Sequence, residues 1–143
     1  MEWLQNDFRI TDDPTEISWP VVHTLLATTY WAKTRPPEKT QKSIEHSISF
    51  SLLHKTNQIG FGRVLTDYGV YAIVLDVVVA PEYRGQGLGK WLLTTIISHP
   101  DIKSLRIVLW TTDQTEFYQA CGLTYEENFK ILGKRGQWKT GHS

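Results

Sequence analysis

The sequence predicts a mixed α/β protein, and three observations carry that expectation. The hydrophobic period switches repeatedly between two and about 3.6 along the chain, so strand and helix patterns alternate. Val70 to Ala80 is almost continuously apolar, as in a central strand covered on both faces. That run enters a basic turn with alternating glycines at 85, 87 and 89, and the turn opens an apolar helical stripe.

The elements follow in order. Phe8–Thr11 reads as a short first strand. Asp12 or Asp13 with Pro14 then turns the chain into a helix over about residues 16–28, with Ile17, Val21, Val22, Leu25 and Leu26 on one stripe. Tyr30 to Pro37 combines aromatics, cations and paired prolines, which predicts an ordered loop before a second short helix at about 38–45. Ile48, Phe50 and Leu52 alternate, and Ile59 and Phe61 do so after the Lys55-Thr56-Asn57 turn, so this stretch reads as a β-hairpin. Asp67-Tyr68-Gly69 is the next turn. Asp76 alone breaks the apolar run that follows; it either finds hydrogen-bond donors or sits where the sheet opens into a cleft. Leu88, Trp91, Leu92, Thr95 and Ile96 recur at helical spacing, and Pro100 ends that helix near Ser98. Leu105 to Trp110 reads as another buried strand, residues 113–121 as a short helix, and Leu123 to Leu132 as one or two final strands. Residues 1–143 are expected to form one domain, with Lys134 to Ser143 as a loosely ordered polar tail.

Composition removes several function classes. With 41% hydrophobic and 12% aromatic residues, the 143-residue chain has material for one core. Lys plus Arg equals Asp plus Glu at 15 each, so no large field attracts nucleic acid or a membrane surface. Cys121 is the only cysteine, which excludes an intrachain disulfide and a thiolate metal cluster; it reads as a small buried apolar residue. The five histidines, at 23, 46, 54, 99 and 141, show no ligand-like spacing, so no metal is expected. No Gly-x-Ser-x-Gly elbow supports a covalent serine. The N-terminus has neither a basic stretch nor a long apolar run, which predicts a cytoplasmic protein.

The turn at Arg84–Lys90 is built to hold phosphate. Gly85, Gly87 and Gly89 permit positive φ, a helix opening at Gly87 or Leu88 presents unpaired N–H groups, and Arg84 and Lys90 add charge. Spacing separates the readings. A nucleotide-triphosphatase loop needs one more residue between Gly85 and Gly89 and a hydroxyl where Trp91 stands. A dinucleotide loop needs Gly-x-Gly-x-x-Gly near the start of a βαβ unit, whereas this segment reads Gly-x-Gly-x-Gly past the middle of the chain.

Arg84, Gly87 and Gly89 spell Arg-x-x-Gly-x-Gly, and Glu116-Phe117-Tyr118-Gln119-Ala120-Cys121-Gly122-Leu123 follows downstream. Together, in this order, they resemble the acetyl-coenzyme A loop and the Leu-Tyr-x-x-x-Gly-Phe segment of the GNAT N-acetyltransferases. The resemblance covers roughly residues 48 to 125 well and the first forty-five only loosely.

The resemblance implies a central mixed, mostly antiparallel sheet of about six or seven strands with helices on both faces, splayed where the central strand ends, and a cofactor entering the split. It implies that main-chain groups from Arg84, Gly85, Gln86, Gly87, Leu88, Gly89 and Lys90 hold the diphosphate of acetyl-coenzyme A. It also implies a bulge within Val77, Val78 and Val79 that frees backbone groups for the pantetheine arm and for a tetrahedral oxyanion. Tyr118 stands where the family carries the tyrosine that protonates the leaving thiolate. Thr111 replaces a common asparagine, so its hydroxyl takes the arm contact or none is made. Asp76 is the expected base or amine anchor, against the alternative of a carboxylate tied to backbone or a buried cation. Any of Asp113, Gln114 and Thr115 could cap the helix of Tyr118, and Asp113 is the expected cap by residue type. Tyr30, Trp31, Arg35, Asp67 and Asp76 are the expected acceptor-side residues, where aromatics and carboxylates suit an amine and Arg35 suits a carboxylate. The expected partner is a small-molecule or amine acceptor, with no nucleic acid and no membrane, for a monomer or homodimer. The alternative is a module that binds acyl-coenzyme A without turnover.

Overall fold

The computed structural model describes residues 1–136. Six strands form one sheet in the order β1-β2-β3-β4-β5-β6: β1 (Glu2–Gln5), β2 (Phe8–Thr11), β3 (Ser47–His54), β4 (Asn57–Thr66), β5 (Tyr71–Val79) and β6 (Arg106–Val108). Neighbours pair antiparallel except β5 and β6, which run parallel. Helices α1 (Trp19–Ala27) and α2 (Pro37–Ile44) precede the β3–β4 hairpin, α3 (Leu88–Ile97) joins β5 to β6, and α4 (Thr115–Ala120) follows β6. Helices flank the sheet on both faces. The core gathers Phe50, Phe61, Ile10, Leu52, Leu92, Leu93 and Ile96, all fully buried.

The parallel pair is where the sheet opens. Its register runs Tyr71↔Arg106, Ala72↔Ile107 and Ile73↔Val108, and there it stops while β5 continues to Val79. The last part of β5 therefore has a strand partner only on its β4 side. On that side the pairing skips: Phe61 faces Val78 and Arg63 faces Leu75, so Gly62 lies opposite both Asp76 and Val77. This is a β-bulge, and Asp76 within it has φ of 57°, in the left-handed region that non-glycine residues rarely enter. The expected bulge thus sits one residue earlier, at Asp76–Val77 rather than within Val77–Val79. Gly62 gives α3 room against it, since a Cβ there would lie 2.9 Å from Ile96 Cδ1. Arg63, the next residue of β4, points to the opposite face, toward the loop between α1 and α2.

Several expectations shift for local reasons. Phe8–Thr11 is the second strand, because Glu2–Gln5 pairs with it across a turn in which Asn6 has φ of 54°. Helix α1 begins at Trp19 because Pro14–Glu16 forms its own 3-10 turn, capped by Asp13, and Ile17 is extended. Strand β5 alternates between buried and half-buried residues, with only one face fully closed. The stretch Leu105–Trp110 contributes only three strand residues, and as the sheet edge it is half-buried to exposed, with Trp110 58% exposed. No final strand forms over Leu123–Leu132: a turn at Glu126–Phe129 interrupts the alternation, and Phe129 lies under the Arg106 guanidinium, 4.8 Å from carbon to ring centre. Of the expected polar tail, residues 137–143 lie outside the described residues.

Candidate active site

Strand β5 delivers the chain through a 3-10 turn, Pro81–Tyr83, into the glycine turn. That turn is braced from behind: Tyr83 Oη lies 2.8 Å from Nδ1 of His54, whose ring stacks on Phe8. Gly85 and Gly87 have φ of 82° and 79°, and Gly87 is the N-cap of α3. The cap supplies no side-chain acceptor. The first helical N–H with a backbone partner is that of Trp91, on Gly87 C=O at 3.0 Å; among the described residues the N–H groups of 85–90 make no backbone hydrogen bond. A Cβ built on Gly85 or Gly87 would meet nothing within 4 Å, so unpaired donors surround open space. Together with the positive end of the helix dipole, this suits a diphosphate. Arg84 is exposed, and its Nε donates to Val79 C=O at 3.3 Å. Gly89 lies inside α3, where a Cβ would sit 3.6 Å from Phe117 Cζ.

That contact ties the turn to α4. Tyr118, next to Phe117, is half-buried. Burial, and then the neighbouring Tyr30, push its phenol above the ordinary value of 10.0, so it stays protonated through neutral pH. A hollow of about 450 Å³ opens at the first turn of α4, lined by Asp113, Gln114, Thr115, Glu116 and Phe117. Asp113 does not cap the helix; the first residue before it is Gln114, whose N–H donates to Thr111 Oγ1 at 3.1 Å. Thr111 therefore stands at the site but accepts for the turn. Cys121 is buried, and burial raises its thiol pKa, which suits an inert packing residue.

On the other wall the structure joins Trp31, Arg35 and Asp76. Asp76 Oδ2 accepts from Arg35 Nη1 and from Arg63 Nε, both at 2.8 Å. Its Oδ1 accepts from Arg35 Nη2 at 3.0 Å and from Trp31 Nε1 at 3.1 Å. Burial alone would raise this carboxyl, but hydrogen bonds and charge from Arg35 and Arg63 outweigh it and hold the group below the carboxylate range. An ionised carboxylate has about four acceptor positions, and all are taken. The expected role of Asp76 as base or amine anchor therefore gives way to the alternative, a carboxylate tied to buried cations. The fork of Arg35 is likewise spent on Asp76 and does not await an acceptor carboxylate. Tyr30 stacks edge-on against Trp31 and accepts from the Thr112 hydroxyl at 3.0 Å, so it spans from this wall to the loop before α4. Asp67 does not join the group. It lies in the β4–β5 turn, at the end of β5 away from the glycine turn, and accepts the N–H groups of Gly69, Val70 and Tyr71, which lower its pKa.

Arg63 is the participant that sequence reasoning missed. The signal was present, as a cation between the apolar Phe61 and Val64, thirteen positions before Asp76, the one acid buried among the described residues.

Comparison with known proteins decides the family. The family model described as "Acetyltransferase (GNAT) domain" matches residues 45–124. The chain belongs to the GNAT acetyltransferase family. Membership brings acetyl-coenzyme A as the family's cofactor, and the open donor-lined turn fits its diphosphate. A solved GNAT-family protein from Xanthomonas campestris pv. campestris superposes with a TM-score of 0.82 at 32% identity, covering 91% of this chain and 93% of that one. A GNAT family acetyltransferase from Elizabethkingia anophelis, solved with acetyl-CoA bound, shares the fold at a TM-score of 0.69 and 18% identity, over 86% of this chain and 80% of that chain. The uncharacterized N-acetyltransferase ycf52 of Porphyra purpurea is 40% identical over 81 residues, covering 53% of this chain and 43% of that protein. The chain spans about half the length of the ycf52 relatives it matches. Among the described residues no helix is long and apolar enough to cross a membrane.

Proposed function

We propose that this chain transfers an acetyl group from acetyl-coenzyme A to a primary amine, on a small molecule or amino acid, by direct attack while both are bound. The observation that carries the proposal is the helix start at Gly87, where unpaired main-chain donors ring open space at the end of a strand whose parallel neighbour has already turned away. Acetyl-coenzyme A supplies an activated acyl carbon, and its thioester bond gives way to an amide as the thiol leaves.

The residues divide the work. Main-chain N–H groups from Gly85 to Lys90 hold the diphosphate, with Arg84 and Lys90 adding charge. The backbone of Val77–Val79 beyond the bulge faces the arm and the developing oxyanion, and the Thr111 hydroxyl offers a further arm contact. Tyr118 protonates the leaving sulfur, a role for which its raised phenol pKa keeps it charged with a proton. Tyr30 and Trp31 form the acceptor rim, 57% and 42% exposed, whereas Arg35 and Asp76 shape the wall behind them. With Asp76 saturated, the amine proton leaves through water, and the rate follows the amine's own ionisation, near 8 for an α-amino group and about 10.4 for a lysine-type amine. The setting proposed is the cytoplasm; two Arabidopsis thaliana relatives are chloroplastic, so fractionation is the check.

The saturation of Asp76 also favours a second reading, an acyl-coenzyme A binding module without turnover, because the one carboxylate buried among the described residues is not available to an amine. Calorimetry with acetyl-coenzyme A, followed by thiol release with L-lysine, spermidine and glycinamide, separates the two. Binding with amine-dependent thiol release supports transfer; binding with none supports the module; absence of binding removes both.

A further inference from the structure

We propose that Asp76 is a positioning residue whose clamp by Arg35, Arg63 and Trp31 locks the β5 bulge to the loop between α1 and α2, so that the cofactor wall and the acceptor wall form one mechanical unit. Its catalytic consequence rests on the acetyl-transfer reading above; the clamp itself does not.

The backbone is the first support. Asp76 has φ of 57°, a region an aspartate enters most easily when its side chain bonds nearby main chain. Here the side chain makes no local bond and reaches only Trp31, Arg35 and Arg63. A strained conformation of this kind persists where the surroundings over-determine it, and four donors from two other segments do so. The strain falls at the residue that creates the bulge opposite Gly62.

The second support is reach. Arg35 Nη1 also meets Thr40 Oγ1 on α2 at 3.3 Å. Arg63 Nη1 meets Ser47 Oγ on β3 at 3.3 Å, and that hydroxyl donates to Ser43 C=O on α2 at 2.9 Å. Beyond Trp31, Tyr30 extends the same loop to Thr112. One carboxylate thus connects β4, the bulge, α2 and the segment leading to Tyr118, without standing free toward either substrate.

The test uses Asp76→Asn, which keeps the volume and a residue tolerant of left-handed backbone, Arg35→Lys, which keeps the charge but loses the fork, and Trp31→Phe, which removes one donor. Amide hydrogen exchange is measured without ligand, acetyl-coenzyme A affinity by calorimetry, and pH–rate profiles with the fastest amine of the L-lysine, spermidine and glycinamide panel. The expected result is faster exchange in residues 29–36 and 76–79 together, graded from Trp31→Phe to Asp76→Asn. Acetyl-coenzyme A affinity should stay within about twofold, while turnover falls about tenfold or more with the low-pH limb retained. Exchange that rises in only one of the two segments, or in neither, overturns the proposal. So does loss of the low-pH limb in Asp76→Asn, which would make Asp76 the base after all. Should Asp76→Asn fail to fold, the other two variants give the same reading. If the wild-type chain binds no acetyl-coenzyme A, the transfer reading falls while the exchange result still decides the clamp.

Discussion

The two walls of the cleft are built on opposite terms. At the glycine turn, polar main-chain groups are left unpaired around open space; at Asp76, every acceptor position is filled and the group is buried. Unpaired donors in the open await a ligand, and they are tolerated because water serves them meanwhile. A saturated buried ion cluster is a frame, since any ligand that used it would first have to break it. The contrast separates binding groups from supporting groups more reliably than residue type does, because by type alone Asp76 and Arg35 look like the most reactive pair in the chain.

The largest expected effect tests the open wall. Gly87→Trp places a bulky side chain at φ of 79°, in the space where a Cβ now meets nothing. It should give no heat of binding at acetyl-coenzyme A concentrations that saturate the wild type, with α3 still folded by circular dichroism. Unchanged affinity would put the diphosphate elsewhere and dissolve the comparison.

The next effect falls on the closed wall and is one of stability. Asp76→Ala strands two arginines, and removing one partner of a buried ion pair costs about 3–5 kcal/mol. For a chain of this size that lowers the melting temperature by about 10 °C or more. The pH dependence gives the sign. The pKa of Asp76 is lower in the fold than its ordinary value of 3.8, so its contribution is complete above that value and is lost as pH falls through the folded one. The gap between wild type and Asp76→Ala should therefore narrow in acid and stay constant from pH 5 to 7. Chemical denaturation from pH 7 down to pH 2 checks it, and a gap that stays constant throughout would mean the carboxylate is not what the arginines hold.

The same contrast explains what could be read from the chain. The glycine turn is legible because its requirements are local: positive φ at Gly85 and Gly87, a helix start and flanking charge all lie within seven residues. The break at Asp76 is visible too, but its partners stand 45, 41 and 13 positions away, and hydropathy carries no pairing information over such distances. Asp67 misled because a carboxylate in a turn satisfies its own backbone, an event that leaves no mark distinct from a ligand contact. Glu2–Gln5 escaped because Trp3 and Leu4 are adjacent rather than alternating, and the strand is held by its pairing with β2. Leu123–Leu132 misled in the other direction: apolar residues flank Glu126-Glu127-Asn128, and each flank is too short to pair once that segment turns.

Between the walls stands Tyr118, and its substitution separates chemistry from both. Tyr118→Phe removes only the hydroxyl from a half-buried ring. Cofactor affinity and melting temperature should be nearly unchanged, while turnover falls about 100-fold, the lower range for loss of a general acid. The raised phenol pKa adds a second readout, because the wild-type rate should not decline on the alkaline side until above pH 10. A decline near neutral pH would assign the proton to another group.

The smallest effect concerns Arg84, one of the two exposed charges of the open wall. Among the described residues the Arg84 side chain makes one hydrogen bond, from its Nε to Val79 C=O, so its guanidinium adds attraction to what the main chain already provides. Exposed ion pairs are worth about 0.2–1 kcal/mol, so Arg84→Ala should weaken acetyl-coenzyme A binding by no more than about fivefold. The loss should shrink as salt rises from about 0.01 to 1 M, because the Debye length contracts from about 30 to 3 Å. A loss as complete as that of Gly87→Trp, and insensitive to salt, would show that the side chain rather than the unpaired N–H groups holds the diphosphate. The open wall would then differ from the Asp76 wall only in exposure, since both would act through arginine.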